Sequence, residues 1–138
     1  MSDLIRLSIS IERPLYERMQ RLIDESGYAN RSEFVRDLVR GRLVDEEWRR
    51  NEEALGTITL IYDHHKRQLS ERLTDLQHRH HREILVSSHV HLDHDLCAEM
   101  ILVRGRAKKV EELANQLGKE KGVLHTALSI GSTGKRLA

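Results

Sequence analysis

From Leu4 to Ile11 the chain alternates, with Ile5, Leu7, Ile9 and Ile11 on one side and Arg6, Ser8 and Ser10 on the other. That period of two is what a half-buried strand requires. No second strand follows close by. Pro14 suits the first turn of a helix whose apolar positions Leu15, Met19, Leu22 and Ile23 recur at helical spacing, and Gly27 suits its end. A second helix starts near Asn30 or Ser32, either of which can cap it. Glu33 then lies in its first turn, with Val35, Leu38 and Val39 as an apolar stripe. The opening segment therefore reads strand, helix, helix.

The segment from Asp45 to Glu53 holds five acids, two arginines and Trp48, without alternation, and reads as a linker or a helix extension. After Gly56 the β-branched run Thr57 to Tyr62 predicts a strand. A charged helix follows over 66–81, with Leu69, Leu73 and Leu76 on one face. Two strands, Ile84 to Leu92 and Cys97 to Arg104, are joined by a polar turn at Asp93, His94 and Asp95. Gly105 introduces a last helix carrying Val110, Leu113, Ala114 and Leu117, and Val123 to Ile130 closes as a strand. This order, βαββαβ, is that of a ferredoxin-like domain.

The 138 residues, 38% of them hydrophobic, fit one compact domain or two small ones. A first segment of about 45 residues is near the size at which a monomer struggles to stabilise itself, so it is expected to dimerise. The net charge of +1 gives the whole chain no polyelectrolyte signature. The distribution says more: residues 1–44 carry eight Arg and no Lys, balanced by seven acids. The single cysteine, Cys97, excludes an intrachain disulfide and leaves a buried hydrophobe, a reactive thiol or a metal ligand. Asp3 and Arg6 interrupt the start, no signal-peptide pattern follows, and no stretch approaches membrane-spanning length. The expected location is the cytoplasm, with no membrane partner.

Eight of the nine histidines lie between His64 and His94. Taken singly, His64, His65, His80, His81, His94 and His125 read as surface or hydrogen-bonded residues. His89 and His91 differ: two apart on a strand, they project from one face, with Val86, Val90 and Leu92 on the other. Cys97 follows across the hairpin turn, where it returns to the same site. Two imidazoles and a thiolate suit Zn, Ni, Cu or Co rather than Mg or Ca. His78 falls opposite the Leu69, Leu73, Leu76 stripe at about 100° per residue, so it faces away from its own sheet and towards another subunit. His80 lies close to the apolar stripe.

A lone strand with two helices cannot satisfy its own backbone, whereas two copies can pair as an antiparallel ribbon that fits the DNA major groove. Arg6, Ser8 and Ser10 would then face the bases. The second helix would point its N-terminus, near Asn30 and Arg31, at a phosphate. Residues 4 to about 44 resemble the ribbon-helix-helix repressors through Arg6-Leu7-Ser8-Ile9-Ser10, Gly27-Tyr28, Asn30-Arg31-Ser32-Glu33 and Arg36-Asp37.

The whole chain resembles the NikR family of nickel-responsive regulators through Gln77-His78, His89-Val90-His91, and Cys97 with Glu99. The resemblance implies an α+β chain. Residues 1–46 would be a ribbon-helix-helix domain that binds DNA and dimerises, 47–56 a linker or helix extension, 57–131 a ferredoxin-like domain that binds nickel and tetramerises, and 132–138 a mobile tail. It implies a square-planar site with one Ni(II) per subunit, made by His89, His91, Cys97 and the neighbouring subunit's His78, in a homotetramer built as a dimer of dimers. Glu99 would orient a ligand by hydrogen bonding, with Tyr62 and His64 close by. Glu33 and Asp37, one helical turn apart, correspond to a second, weaker cation site, although pairing with Arg31 or Arg36 explains them as well. Arg79 and Arg82 depart from the family's usual residues, and their charge opposes a cation. The expected function is nickel-dependent binding of operator DNA, as a repressor of nickel-uptake genes. Alternatives are the same regulator responding to Cu, Co or Zn, or a metal-storage protein without DNA function. A hydrolase is disfavoured, because four protein ligands leave a four-coordinate ion no vacancy.

Overall fold

The computed structural model describes residues 3–138, so the first two residues of the expected 1–46 domain lie outside the described residues. The chain divides into two compact units, Met1–Val39 and Arg40–Ala138.

In the first unit, helix α1 spans Arg13–Glu25, with Pro14 in its first turn, where a missing N–H costs nothing. It ends as Gly27 takes φ +73°, while the Ser26 and Tyr28 amides donate back to Leu22 and Ile23. Helix α2 spans Arg31–Arg49 and is capped by Asn30, whose Oδ1 accepts the Glu33 amide at 2.9 Å. Among the described residues of this unit Ile23 and Phe34 are the buried hydrophobics, with Tyr28 edge-on to Phe34. Residues 3–12 are not assigned to a strand, and Leu4, Ile5, Leu7 and Ile9 are 73–84% exposed. The alternation expected of a strand is there, but a single chain supplies no neighbour to take its hydrogen bonds.

The second unit is a four-stranded antiparallel sheet of β1 (Glu53–Asp63), β2 (Ile84–His91), β3 (Leu96–Arg106) and β4 (Val123–Gly131), in the order β2-β3-β1-β4. Helices α3 (Leu69–Arg79) and α4 (Ala107–Lys119) connect the strands in the expected βαββαβ sequence. Strand β1 alternates strictly, burying Ala54, Ile58, Leu60 and Tyr62. These side chains join Leu69, Leu73 and Leu76 of α3, Val110, Leu113 and Leu117 of α4, and Trp48 from the end of α2 in one core. The opposite sheet face carries Val86, Val90 and Met100, each more than half exposed.

Several boundaries differ from the pattern-based expectation. Strand β1 starts at Glu53 rather than Thr57, because Ala54 packs fully into the core and Glu53 pairs with Arg104 across the ladder at 2.9 Å. Gly105 belongs to β3, and α4 begins at Ala107, whose amide donates to the Glu52 carbonyl. Residues 132–138 hydrogen-bond to α2 and to the residue before β1: Ser132 donates to Glu47, Arg136 donates to Glu52, and the Leu137 carbonyl accepts from Arg40.

Candidate metal centre

The β2–β3 register places His91 opposite Cys97 and His89 opposite Glu99, and the β1–β3 register places Tyr62 beside Cys97. Directly opposed residues share a face. All five side chains therefore point to the side of the sheet that carries the core. Cys97 Sγ lies 3.2 Å from His91 Nδ1. His89 and His64 flank the His91 ring, with centroids 5.2 and 4.9 Å away. His64, His91 and Cys97 each bring one potential ligand atom within 4.8 Å of the others.

Cys97 is fully buried. Burial pushes its thiol pKa up, and the carboxylates of Asp63, Asp93 and Glu99 add to the shift. A thiolate in this place needs a compensating positive charge, which a transition ion bound to sulfur and imidazole nitrogen supplies. The donor set fits such an ion.

Glu99 is 8% exposed, and its carboxylate accepts from Tyr62 Oη at 3.3 Å, Gln77 Nε2 at 2.5 Å and Ser87 Oγ at 3.1 Å. It thereby ties together β1, α3 and β2. Burial, and then the Glu99 charge, push the Tyr62 hydroxyl up to about 12, so it stays a donor. None of these Glu99 hydrogen bonds goes to a histidine; the bond to Gln77 holds the turn of α3 that carries His78. His78 is exposed, as its helical phase predicted, and belongs to neither group of potential ligands among the described residues.

The second group is His65, His94 and Asp95, in the loop after β1 and the β2–β3 turn. His80 makes a different contact, its Nε2 3.2 Å from Gln116 Oε1.

In the first unit, Arg6, Ser8 and Ser10 are exposed. Asn30 spends its side-chain oxygen on the helix cap, and Arg31 is held by Tyr16 Oη at 2.6 Å and Gln20 Oε1 at 3.1 Å. Glu33 pairs with Arg36 at 2.8 Å, and Asp37 accepts the Tyr28 hydroxyl at 2.7 Å. That hydrogen bond, with the charge of Asp37, raises the Tyr28 pKa.

Residues 55–130 match the family described as "NikR C terminal nickel binding domain", and residues 5–46 match "Ribbon-helix-helix protein, copG family". Proteins that carry the provisional name of nickel-responsive regulator in Geotalea uraniireducens and Geobacter metallireducens are 47% and 48% identical over 138 residues, 99% of each chain. One from Desulfotalea psychrophila is 48% identical over 132 residues, 96% of this chain and 97% of its own. This chain belongs to the NikR family. An uncharacterised protein of Thermotoga maritima, 14% identical, superposes with a TM-score of 0.52 over 57% of this chain and 98% of its own, which shows a shared fold alone.

NikR membership bears out the α+β expectation of a ribbon-helix-helix segment followed by a four-stranded domain, and makes the chain a transcription regulator rather than an enzyme. Sequence reasoning passed over Ser87 beside the candidate site, and it placed His64 close by only through the resemblance, without reading it as a member of one group with His91 and Cys97. Ser87 has the strand parity of His89 and His91, which could have marked it as a neighbour of Glu99. The grouping of His64 with His91 and Cys97 depends on how the loop after β1 returns to the hairpin, for which no local pattern exists. No helix is long and apolar enough to cross a membrane among the described residues.

Proposed function

We propose that this chain is a nickel-dependent repressor of nickel-uptake genes, in which Ni(II) binding strengthens the grip on operator DNA. The observation that carries this reading is the buried Cys97 thiol against His91, with His89 on the same strand face. His89, His91 and Cys97 would hold the ion together with His78 of a neighbouring copy, one Ni(II) per subunit. The exposed position of His78 supports its use across an interface. Bound nickel supplies the positive charge that keeps Cys97 as thiolate and links two chains through His78.

Assembly is supported by two apolar surfaces that one chain leaves open. Ile5, Leu7 and Ile9 suit pairing of two N-terminal segments into a ribbon, with Arg6, Ser8 and Ser10 towards the major groove. Val86, Val90 and Met100 suit packing of a second pair of chains, giving a dimer of dimers. Asn30 and Arg31 mark the end of α2 that would meet a phosphate, Asn30 through the cap it forms and Arg31 as a pre-set guanidinium. A second, weaker cation at Glu33 and Asp37 would have to displace Arg36 and Tyr28 from those carboxylates. Nickel and DNA are then coupled reciprocally, each raising the affinity for the other.

A second reading keeps the regulator and changes the ion to copper, cobalt or zinc. It is favoured by His64, which gives one chain a third ligand beside His91 and Cys97, so an ion content with three protein ligands and a water needs no partner. DNA-binding titrations with Ni(II), Zn(II), Cu(II) and Co(II) on wild type and Cys97→Ala separate the two. The first reading expects Ni(II) to strengthen operator binding in wild type alone, and equal affinity with and without nickel would sink it.

A further inference from the structure

Two loops meet beside the group of His64, His91 and Cys97, and each is held by its own hydrogen bonds. After β1, the His65 amide donates to Asp63 Oδ1 at 2.9 Å, and the His64 amide donates to the Asp95 carbonyl at 3.1 Å. In the β2–β3 turn, Asp93 Oδ1 accepts the amides of Asp95 and Leu96 at 2.9 and 2.8 Å. These two hydrogen bonds fix the turn through Asp93 and leave Asp95 free of that task.

Held this way, the loops bring His65, His94 and Asp95 together with their ligand atoms all within 4.8 Å. Asp95 Oδ1 lies 3.1 Å from His94 Nδ1 and 3.3 Å from His65 Nε2, the latter also 3.2 Å from the His94 carbonyl. Donor atoms about 2.0–2.1 Å from one tetrahedral ion sit roughly 3.3 Å apart, so the two separations from Asp95 to the imidazoles match those of ligands on a common ion, and the two imidazole nitrogens lie within 4.8 Å of each other. The group shares no side chain with His64, His91 and Cys97. All three of its residues are exposed, unlike Cys97.

We propose that His65, His94 and Asp95 form a second, solvent-facing site for a borderline divalent transition ion, which loads the Cys97 site next to it. Two imidazoles and one carboxylate suit nickel, zinc or copper, and three protein ligands leave positions for water, so ions enter and leave freely. His64 connects the sites: its ring lies 3.9 Å from that of His65 and 4.9 Å from that of His91. Its Nε2, 2.6 Å from the His94 carbonyl, donates there, which leaves the lone pair on Nδ1 for a passing ion. The loading role rests on the reading given under Proposed function; the existence of the site does not.

The test uses the full chain with Ni(II), comparing wild type, the double variant His65→Ala/His94→Ala, and Asp95→Asn. Ions bound per subunit come from equilibrium dialysis, and the nickel–thiolate absorption reports Cys97. The double variant is expected to bind one ion fewer, to reach the full thiolate amplitude, and to reach it several-fold more slowly. Asp95→Asn should weaken the same ion by about 10-fold or more, with an unchanged circular dichroism spectrum. An ion count equal to that of wild type would overturn the site, as would loss of both ions together. One ion fewer with an unchanged loading rate would overturn the loading role. A wild type without any thiolate band would refute nickel at Cys97, while the difference in ion count would still decide the second site.

Discussion

Cys97 and His91 face each other across the β2–β3 ladder with sulfur and Nδ1 3.2 Å apart, and the sulfur is fully buried. Two opposite demands meet at this residue. As a small buried thiol it packs like a hydrophobe, so Cys97→Ala costs only about 1–2 kcal/mol of stability in the metal-free protein. As the proposed nickel ligand it would be indispensable. Removing an outer partner of a metal ligand typically costs 10–100-fold in affinity, and the loss of Cys97 itself should cost at least ~100-fold, together with the thiolate absorption. Dialysis and a melting curve on the same variant check both statements.

The raised Cys97 pKa sets two pH dependences of opposite sign. In the metal-free protein the folded state disfavours the thiolate, so the stability linked to this group is fully present below the unfolded thiol value of about 8.5. It is lost as pH rises through the folded value. Nickel binding runs the other way, because the ion must displace the thiol proton, and affinity rises with pH over the neutral range. Denaturation of metal-free protein from pH 7 to 10 should therefore show falling stability, whereas calorimetric nickel binding should show proton release at pH 7. A pH-independent affinity would mean that Cys97 is not a ligand.

Much of the site was legible because it is local. His89, His91 and Cys97 straddle one short turn, and strand parity alone puts them on one face, as the register confirms. The helical phase of His78 was equally readable. His65, His94 and Asp95 were not, since they meet only when the loop after β1 reaches a turn about thirty residues away in the chain. The N-terminal strand shows the other limit. Its alternation is plain, but among the described residues no neighbour takes its hydrogen bonds, and the ribbon proposed above would draw them from a second chain. At Glu53 and Ala54, charged neighbours hid a strand whose start is decided by burial of Ala54.

Glu99 holds α3 to the sheet through Gln77, next to His78, while it also accepts from Tyr62 and Ser87. Its replacement by Ala leaves three donors around an empty place. An unsatisfied buried polar group costs about 1–3 kcal/mol, and Tyr62 is the buried one of the three, so Glu99→Ala should destabilise the domain by about that much. Glu99→Gln keeps the size, loses the charge-assisted bonds, and should weaken nickel binding by about 10–100-fold with a smaller change in melting temperature. A Gln variant with wild-type nickel affinity would show that Glu99 acts on stability alone.

Gly56 marks the point where Trp48 crosses the sheet. A Cβ there would lie 2.8 Å from Val110 Cγ1 and 3.2 Å from both Leu128 Cδ1 and the Trp48 ring. Val110 is β-branched and fully buried, so it cannot swing aside cheaply. Gly56→Ala is expected to cost about 1–3 kcal/mol, read as a lower denaturation midpoint at unchanged slope. The nickel–thiolate band should persist below that midpoint, because β1 meets Cys97 at Tyr62, the far end of the strand.

Arg6 tests the other half of the molecule. Its neighbours in the alternation, Ile5 and Leu7, are 82% and 84% exposed in one chain, so the ribbon reading assigns them to the partner-facing side and Arg6 to the DNA. A guanidinium that reads a guanine edge contributes about 1–3 kcal/mol of base discrimination. Arg6→Ala should then lower operator affinity by roughly 5–150-fold and reduce the ratio of specific to non-specific binding, leaving nickel binding unchanged. A guanidinium that only neutralises a phosphate would behave differently. Its loss would weaken all DNA sequences alike and lower the salt slope by about one. Affinities for operator and scrambled DNA at several salt concentrations distinguish the two, and an unchanged operator affinity would remove Arg6 from the interface altogether.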